Sequence, residues 1–263
     1  ISMVLISGTL IVFDQLDLLR NKPLGFQKDH LINVPIQSQN FNNVFGGVDE
    51  KMHQNMNSFE DALTSIPGVI SSTASANAPG LGIVNRNVIP EGFTAEDHIL
   101  APVYAVDYDF VEIYEIKVKH GRGFSEDFGT DHQNAYLINE FAIKEYNFGS
   151  QAEALGKEIN VEGKIGKVVG VVENFHFLPL TEPMGPIIME VNASQFSVFS
   201  IRIHNQNIPT TLAAIEKAYN EFFPSESFTH SFLDESLEEG YTTQEQLGTV
   251  VGYFALLAIL ISC

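Results

Sequence analysis

Residues 52–76, MHQNMNSFEDALTSIPGVISSTASA, pass from a helical pattern to a strand pattern. The apolar side chains of the first part step by four and three residues: Met52, Met56, Phe59, Leu63 and Ile66. This spacing predicts an amphipathic helix with one buried face, and the Pro67-Gly68 pair predicts its end. The preceding LINVPI (31–36) and the following VISSTASA (69–76) favour strands. Residues 31–76 therefore predict a βαβ unit.

The same order of patterns returns near the other end of the chain. FSVFSIRIH (196–204) alternates as a strand, IPTTLAAIEKAYNEFF (208–223) has helical spacing, and SFTHSFLD (227–234) returns to a strand pattern. Two such units favour one α+β subdomain built from both ends of the chain, with residues 31–76 as its first part and residues 196–233 as its second.

The middle of the chain, residues 77–195, has a different pattern. It opens with a Gly-, Pro- and Asn-rich loop at 77–92. Strand-like runs follow, namely ILAPVYAVD, YEIKVKHGRGF, AYLIN, GKEINVEG and KVVGVVENFHF, with one short helix in NEFAIKEYNFG. We expect a β-rich subdomain inserted into the first one.

Both ends of the sequence are apolar and uncharged, at ISMVLISGTLIVF (1–13) and LGTVVGYFALLAILISC (247–263). A membrane-spanning helix needs about 20 mostly apolar residues, so we expect two truncated membrane-spanning helices. Stalk helices are expected beside them, at 14–30 (with a turn) and 234–246. A signal peptide is the alternative for the first run, and a buried core helix is the alternative for the second. The acidic flank before the second run predicts that residues 14–246 lie outside the cytoplasm.

Charge excludes several classes of partner. The chain has 33 acidic and 14 basic residues, for a net charge of −19. Nucleic acids need Lys and Arg to replace their counterions, so a nucleic-acid partner is excluded. Docking on anionic lipid headgroups is disfavoured for the same reason. The net negative charge is interpreted as a means of keeping the protein soluble, and the alternative interpretation is that it attracts a cationic ligand.

Catalytic motifs are absent from the sequence. No P-loop, no dinucleotide-binding glycine motif, no H-E-x-x-H and no G-x-S-x-G occurs, and the eight His are scattered. Cys263, the single cysteine, lies in the terminal apolar run, so no intrachain disulfide can form. We therefore expect no catalytic residue, cofactor or metal, and a membrane-tethered hydrolase has no motif behind it.

Three segments resemble a known family. VVGVVENFHFLPLTEPMGPIIM (168–189), VDYDFVEIYEIKVKHGRGFSEDFGTD (106–131) and LINEFAIKEY (137–146) are similar, in order, to segments of MacB/FtsX-type ABC-transporter permeases of the Bacteroidetes type. The positions that carry the resemblance are expected to be structural: Asp109, Phe110, Gly121, Arg122, Phe124, Asn139, Glu140, Gly170, Asn174, Phe175, His176, Phe177 and Pro186.

This resemblance implies a periplasmic core domain between two transmembrane helices of a bacterial inner-membrane permease. Its membrane-proximal Porter subdomain comes from both ends of the loop, and a β-rich Sabre subdomain is inserted. The family transmits ATP-driven motion for the export of peptides, drugs or lipoprotein-like substrates. The implied partners are a separate cytoplasmic ATP-binding cassette subunit and a second permease half, with a periplasmic adaptor or substrate protein as a further candidate.

The alternative function is the ligand-binding ectodomain of a two-span receptor or sensor kinase. Two spans around one large outside domain suit that class equally well. The motif set favours the permease.

Overall fold

The computed structural model describes residues 23–36, 50–179 and 181–239. The strands of this part of the chain are β1 (Leu31–Pro35), β2 (Val69–Ser75), β3 (Asn85–Pro90), β4 (Ile99–Val106), β5 (Val118–Gly121), β6 (Ala135–Asn139), β7 (Glu158–Val161), β8 (Lys164–Val172), β9 (Ile188–Val191), β10 (Val198–Ile203) and β11 (Ser231–Phe232). The helices are α1 (Glu50–Thr64), α2 (Phe110–Ile113), α3 (Asp131–Asn134), α4 (Glu140–Glu145), α5 (Gln151–Ala154), α6 (Ile208–Phe222) and α7 (Leu233–Glu239).

The first and last strands form a four-stranded antiparallel sheet in the order β11-β1-β10-β2. Because β10 lies between β1 and β2, and β1 lies between β10 and β11, the two expected βαβ units interleave. Both long helices pack on one face of this sheet, where Phe59 of α1 meets Phe199 of β10 at 5.0 Å and Tyr219 of α6 at 5.7 Å between ring centroids.

The middle strands close into a ring. Their order is β4-β3-β7-β8-β6-β9, and β9 pairs back with β4 in parallel. Each of the six strands contributes to one buried cluster inside the ring, through Val88, Val103, Ile138, Val161, Val168 and Ile188. β5 lies outside the ring and pairs with the second half of β8.

Several local predictions were wrong. The expected loop at 77–92 contains β3, because Val88 and Pro90 of this polar stretch are buried. The strand expected over 227–234 is reduced to the two residues of β11, since a helix begins at Leu233. Instead of pairing with a strand, Phe228 packs against Tyr219 and stacks on His230. The run KVVGVVENFHF leaves the strand conformation after Val172.

The two apolar ends, 1–13 and 247–263, lie outside the described residues. So do most positions of the expected stalk segments, of which only 23–30 and α7 are described. Among the helices that are described, none combines the length and the apolar character needed to cross a membrane.

Candidate functional site

Residues Asn174–Phe177 lie where the beginning of the described chain meets the ring. The His176 backbone N–H donates to the Leu24 carbonyl oxygen at 2.8 Å. Gly25 has a φ of +79°, and a Cβ there would lie 2.6 Å from the Asn174 carbonyl oxygen. The approach is so close that only glycine fits. Residues 23–27, called here the entry segment, are therefore held by the backbone of this motif.

The same motif also contacts the end of the described chain. The Gly80 backbone N–H donates to the Phe177 carbonyl oxygen at 3.2 Å. A Cβ on Gly80 would lie 2.4 Å from Cδ2 of Leu237 in α7. Leu237 and Leu233 are buried in one cluster with Phe175 and Phe177. The entry segment and α7 therefore meet on a shared core.

Pairing of β11 with β1 fixes the relative position of the two ends. Ile32 lies opposite Phe232 in an antiparallel register. Three residues separate the entry segment from β1, and β11 directly precedes α7. The chain thus enters and leaves its described part at neighbouring positions.

Asn139, Glu140 and Asn174 form one hydrogen-bonded group. Asn139 Oδ1 accepts from the N–H of Ala142, which caps α4, and from the N–H of Ile187 at 3.1 Å. Its Nδ2 donates to the Gly185 carbonyl oxygen at 2.8 Å, so the turn containing Pro186 is held on both sides. Asn174 Nδ2 donates to Glu140 Oε2 at 3.3 Å, and Asn174 Oδ1 accepts from the N–H of Phe141 at 3.2 Å.

Two motif glycines allow a close crossing of β5 and β8. Gly121 lies opposite Gly170. A Cβ on Gly170 would lie 2.0 Å from the Arg122 carbonyl oxygen. The Arg122 guanidinium donates to both Asp131 oxygens at 2.5 and 2.7 Å and lies 3.8 Å from the centroid of the Phe128 ring.

The aromatic motif residues Phe110, Phe124, Phe175 and Phe177 are buried in the cluster that also holds Leu233 and Leu237. His176 is buried beside them. Asp109, in contrast, is exposed and borders a cleft. The structure therefore places twelve of the thirteen motif positions in packing or hydrogen-bonding groups around β5, β6 and β8, and the side chain of Asp109 lies outside them.

A cleft of about 970 Å³ opens between α1, β2 and the segments 107–115 and 124–127. Acidic side chains dominate its lining: Glu60, Asp61, Asp107, Asp109, Glu112, Glu115, Glu126 and Asp127. Arg202 is the one basic residue among the described lining residues. Within the described chain, no group of His, Cys, Asp and Glu has the arrangement of a metal site.

Burial, with a smaller effect from neighbouring negative charges, raises the pKa of two acids in this cleft. Burial raises the pKa of Glu60 to about 8, with further contributions from the negative charges of Asp107 and Asp109. Burial also raises the pKa of Asp107 to about 7, although hydrogen bonds from Thr73 and from the Ala74 N–H oppose the rise. The sequence predictions missed this cleft, because its acids come from separate parts of the chain.

An ion cluster joins three strands of the ring. Glu190 on β9 is fully buried and accepts from Arg86 Nη1 at 2.6 Å and from Lys164 Nζ at 2.9 Å. Burial alone would raise the pKa of Glu190, but Lys164, Asn192 and Arg86 together hold it below its usual value. Arg86 also contacts Glu162, which is half exposed.

Comparison with known proteins agrees with this geometry. The family model of the MacB-like periplasmic core domain matches residues 1–218. The chain belongs to this family. The match includes the whole ring and covers both interleaved βαβ units except the end of α6 and strand β11. No curated protein sequence matches the chain.

Two solved structures of ABC-transporter domains are similar in fold. The periplasmic region of MacB from Actinobacillus actinomycetemcomitans aligns with a TM-score of 0.56 and 13% identity, over 84% of this chain and 96% of that one. The extracellular domain of the noncanonic ABC-type transporter YknZ from Gram-positive bacteria aligns with a TM-score of 0.51 and 14% identity, over 76% and 99% of the two chains.

Proposed function

We propose that this MacB-like domain transmits ATP-driven motion from transmembrane helices to the extracytoplasmic side of an ABC-transporter permease. The observation that carries the proposal is the junction at Asn174–Phe177, which contacts the entry segment directly and α7 through Gly80. A displacement of either chain end would reach the same packed core. Closely packed elements of this kind shift between discrete arrangements and do not deform continuously.

The two halves of the fold suit the two subdomains that the family resemblance implies. The interleaved unit of β1, α1, β2, β10, α6 and β11 is the proposed Porter-like subdomain, from residues 31–76 and 196–233. The ring and its surrounding helices, in residues 77–195, are the proposed Sabre-like subdomain. Neighbouring entry and exit positions support this assignment, because both connections to one membrane must leave from the same side.

The proposed partners follow from the same assignment. Hydrolysis of ATP would take place on a separate cytoplasmic ATP-binding cassette subunit, as the family resemblance implies. A second permease half would complete the transporter in the bacterial inner membrane, with residues 14–246 extracytoplasmic. The cargo classes to be tested are peptides, drugs and lipoprotein-like substrates.

A pair of glycine variants tests the transmission. In Gly25→Ala the new Cβ meets the Asn174 carbonyl oxygen at 2.6 Å, whereas in Gly156→Ala it meets no atom within 4 Å. The two glycines have nearly the same φ, +79° and +81°, so the cost of the left-handed backbone is matched. Only the contact between the entry segment and the motif differs.

The experiment measures the hydrogen-exchange rates of the backbone amides of residues 174–177, with and without ATP, in the intact transporter reconstituted into nanodiscs. We expect ATP to change this exchange in the wild type and in Gly156→Ala. In Gly25→Ala the change should be lost while ATP hydrolysis continues. Identical ATP responses in the two variants, or an equal loss of ATP hydrolysis in both, would refute the proposed route.

A further inference from the structure

One edge of β2 opens into the acidic cleft. β10 covers the opposite edge from Val69 to Ser75, but β4 pairs with β2 only at Ser75. Ala74 still has partners on this edge, because its carbonyl oxygen accepts from the Asp107 N–H at 3.0 Å and its N–H donates to the Asp107 carboxylate. Within the described residues, no strand continues this pairing toward Val69.

Ser72 is the next residue whose main chain points to the open edge, because alternate residues of a strand direct their N–H and C=O groups to opposite sides. Ser72 is only 6% exposed, lines the cleft, and has no hydrogen-bond partner for its hydroxyl among the described residues. No described strand pairs with the Ser72 main chain on this side of β2, because β4 pairs with β2 only at Ser75. The Ser72 N–H and C=O therefore have the free pairing positions of an edge strand.

Ile70 lies at the far end of this open edge and presents an apolar side chain to the cleft. It is the extra residue of a β-bulge, since Ser71 pairs with Arg202 and Val69 with Ile203. Its side chain is 50% exposed and lines the same cleft. An added strand would therefore find main-chain partners at Ser72 and an apolar surface beside them.

We propose that this cleft binds an extended basic polypeptide segment, which adds as a short strand to the β2 edge and places Lys or Arg side chains against the acidic walls. Main-chain pairing supplies affinity in such strand addition, and the alternating side chains supply specificity. The surplus of carboxylates selects the charge of the segment. The inference rests on the proposed export function for the source of the segment, a cargo polypeptide outside the cytoplasm.

Three labelled peptides of equal length test both parts of the inference on the intact protein in detergent. A peptide of alternating Lys and Val has the charge and can pair as a strand. A Lys-Pro peptide keeps the charge but lacks half of the N–H donors, and a Glu-Val peptide can pair but has the opposite charge. We expect the Lys-Val peptide to bind at least about tenfold more tightly than either of the others, with an affinity that falls as salt rises.

Protein variants locate the binding. Asp61→Lys combined with Glu112→Lys changes two exposed acids of the cleft, and Glu216→Lys combined with Glu221→Lys makes the same change in net charge on α6. The first pair should weaken Lys-Val binding about tenfold or more, and the second should leave it within about twofold. Hydrogen exchange of the Ser72 amide should slow when the Lys-Val peptide binds.

Equal binding of the Lys-Val and Lys-Pro peptides, or an unprotected Ser72 amide, would overturn strand addition. Equal effects of the two double variants would overturn the location. These outcomes leave the proposed transmission intact, because its test uses ATP and the Asn174–Phe177 junction. Peptide binding in a protein that shows no ATP response at that junction would instead support the cleft and refute the transmission.

Discussion

Deprotonation of Glu60 should make the stability of this protein fall as the pH rises through neutrality. The pKa of Glu60 is raised from 4.5 to about 8 in the folded protein, first by burial and then by the neighbouring carboxylates of Asp107 and Asp109. The folded state therefore binds a proton more tightly than the unfolded chain does. This contribution to stability is complete below about pH 4.5 and is lost as the pH approaches 8.

The size of this stability change follows from the pKa shift of Glu60 and from the exposure of its side chain. One pKa unit corresponds to about 1.4 kcal/mol, so the shift of Glu60 has a ceiling of about 5 kcal/mol. The side chain is half-buried at an open cleft, and solvent screening reduces the expected effect to about 1–2 kcal/mol. Glu60→Gln removes the charge and keeps the shape. Above about pH 8 the variant should be more stable than the wild type by this amount, and near pH 4.5 the two should be equal.

Urea unfolding of the intact protein in detergent at several pH values measures the effect. Asp61→Asn, at the next position and exposed, serves as the control and should change the free energy of unfolding by less than about 0.5 kcal/mol. Parallel stability profiles of Glu60→Gln and wild type from about pH 4.5 to 8 would show that burial and the neighbouring carboxylates do not raise the pKa of Glu60.

Two further substitutions test the ring and the motif glycines. Glu190→Ala leaves Arg86 and Lys164 without their buried partner and should lower the free energy of unfolding by about 3 kcal/mol. Glu162→Ala, at the half-exposed partner of Arg86, should lower it by less than about 1 kcal/mol. Similar losses for the two variants in urea unfolding would contradict the burial argument. Gly170→Ala should destabilise the protein by about 2–3 kcal/mol because its Cβ meets the Arg122 carbonyl oxygen at 2.0 Å, while Gly123→Ala, with no atom within 4 Å, should be nearly neutral in thermal unfolding. Equal melting temperatures for these two glycine variants would show that the crossing of β5 and β8 adjusts freely.

Long periodic segments were predictable from the sequence, and short polar ones were not. α1 was recognised because Met56, Phe59 and Leu63 recur on one buried face. β3 was missed because its sequence, NRNVIP, is rich in turn-forming residues, and only its pairing with β4 and β7 makes it a strand. The strand expected before α7 failed for a similar reason, since tertiary packing starts the helix at Leu233.

The sequence motifs marked positions, and only the fold shows which residues those positions contact. Asn139 and Asn174 were identified by resemblance, but their connection through Glu140 and the backbone of α4 depends on the fold. No pattern in the sequence predicted the acidic cleft. Glu60 lies on α1 and Asp107 follows β4, and only the interleaving of the chain brings them together.

Composition of the intact complex tests the central claim most directly. Gentle extraction from the native membrane followed by native mass spectrometry would identify the subunits that remain bound to this protein. The transmission account predicts an ATP-binding cassette subunit in fixed ratio, with ATP hydrolysis by the complex. A complex without a nucleotide-binding subunit, or one containing a kinase output instead, would contradict it.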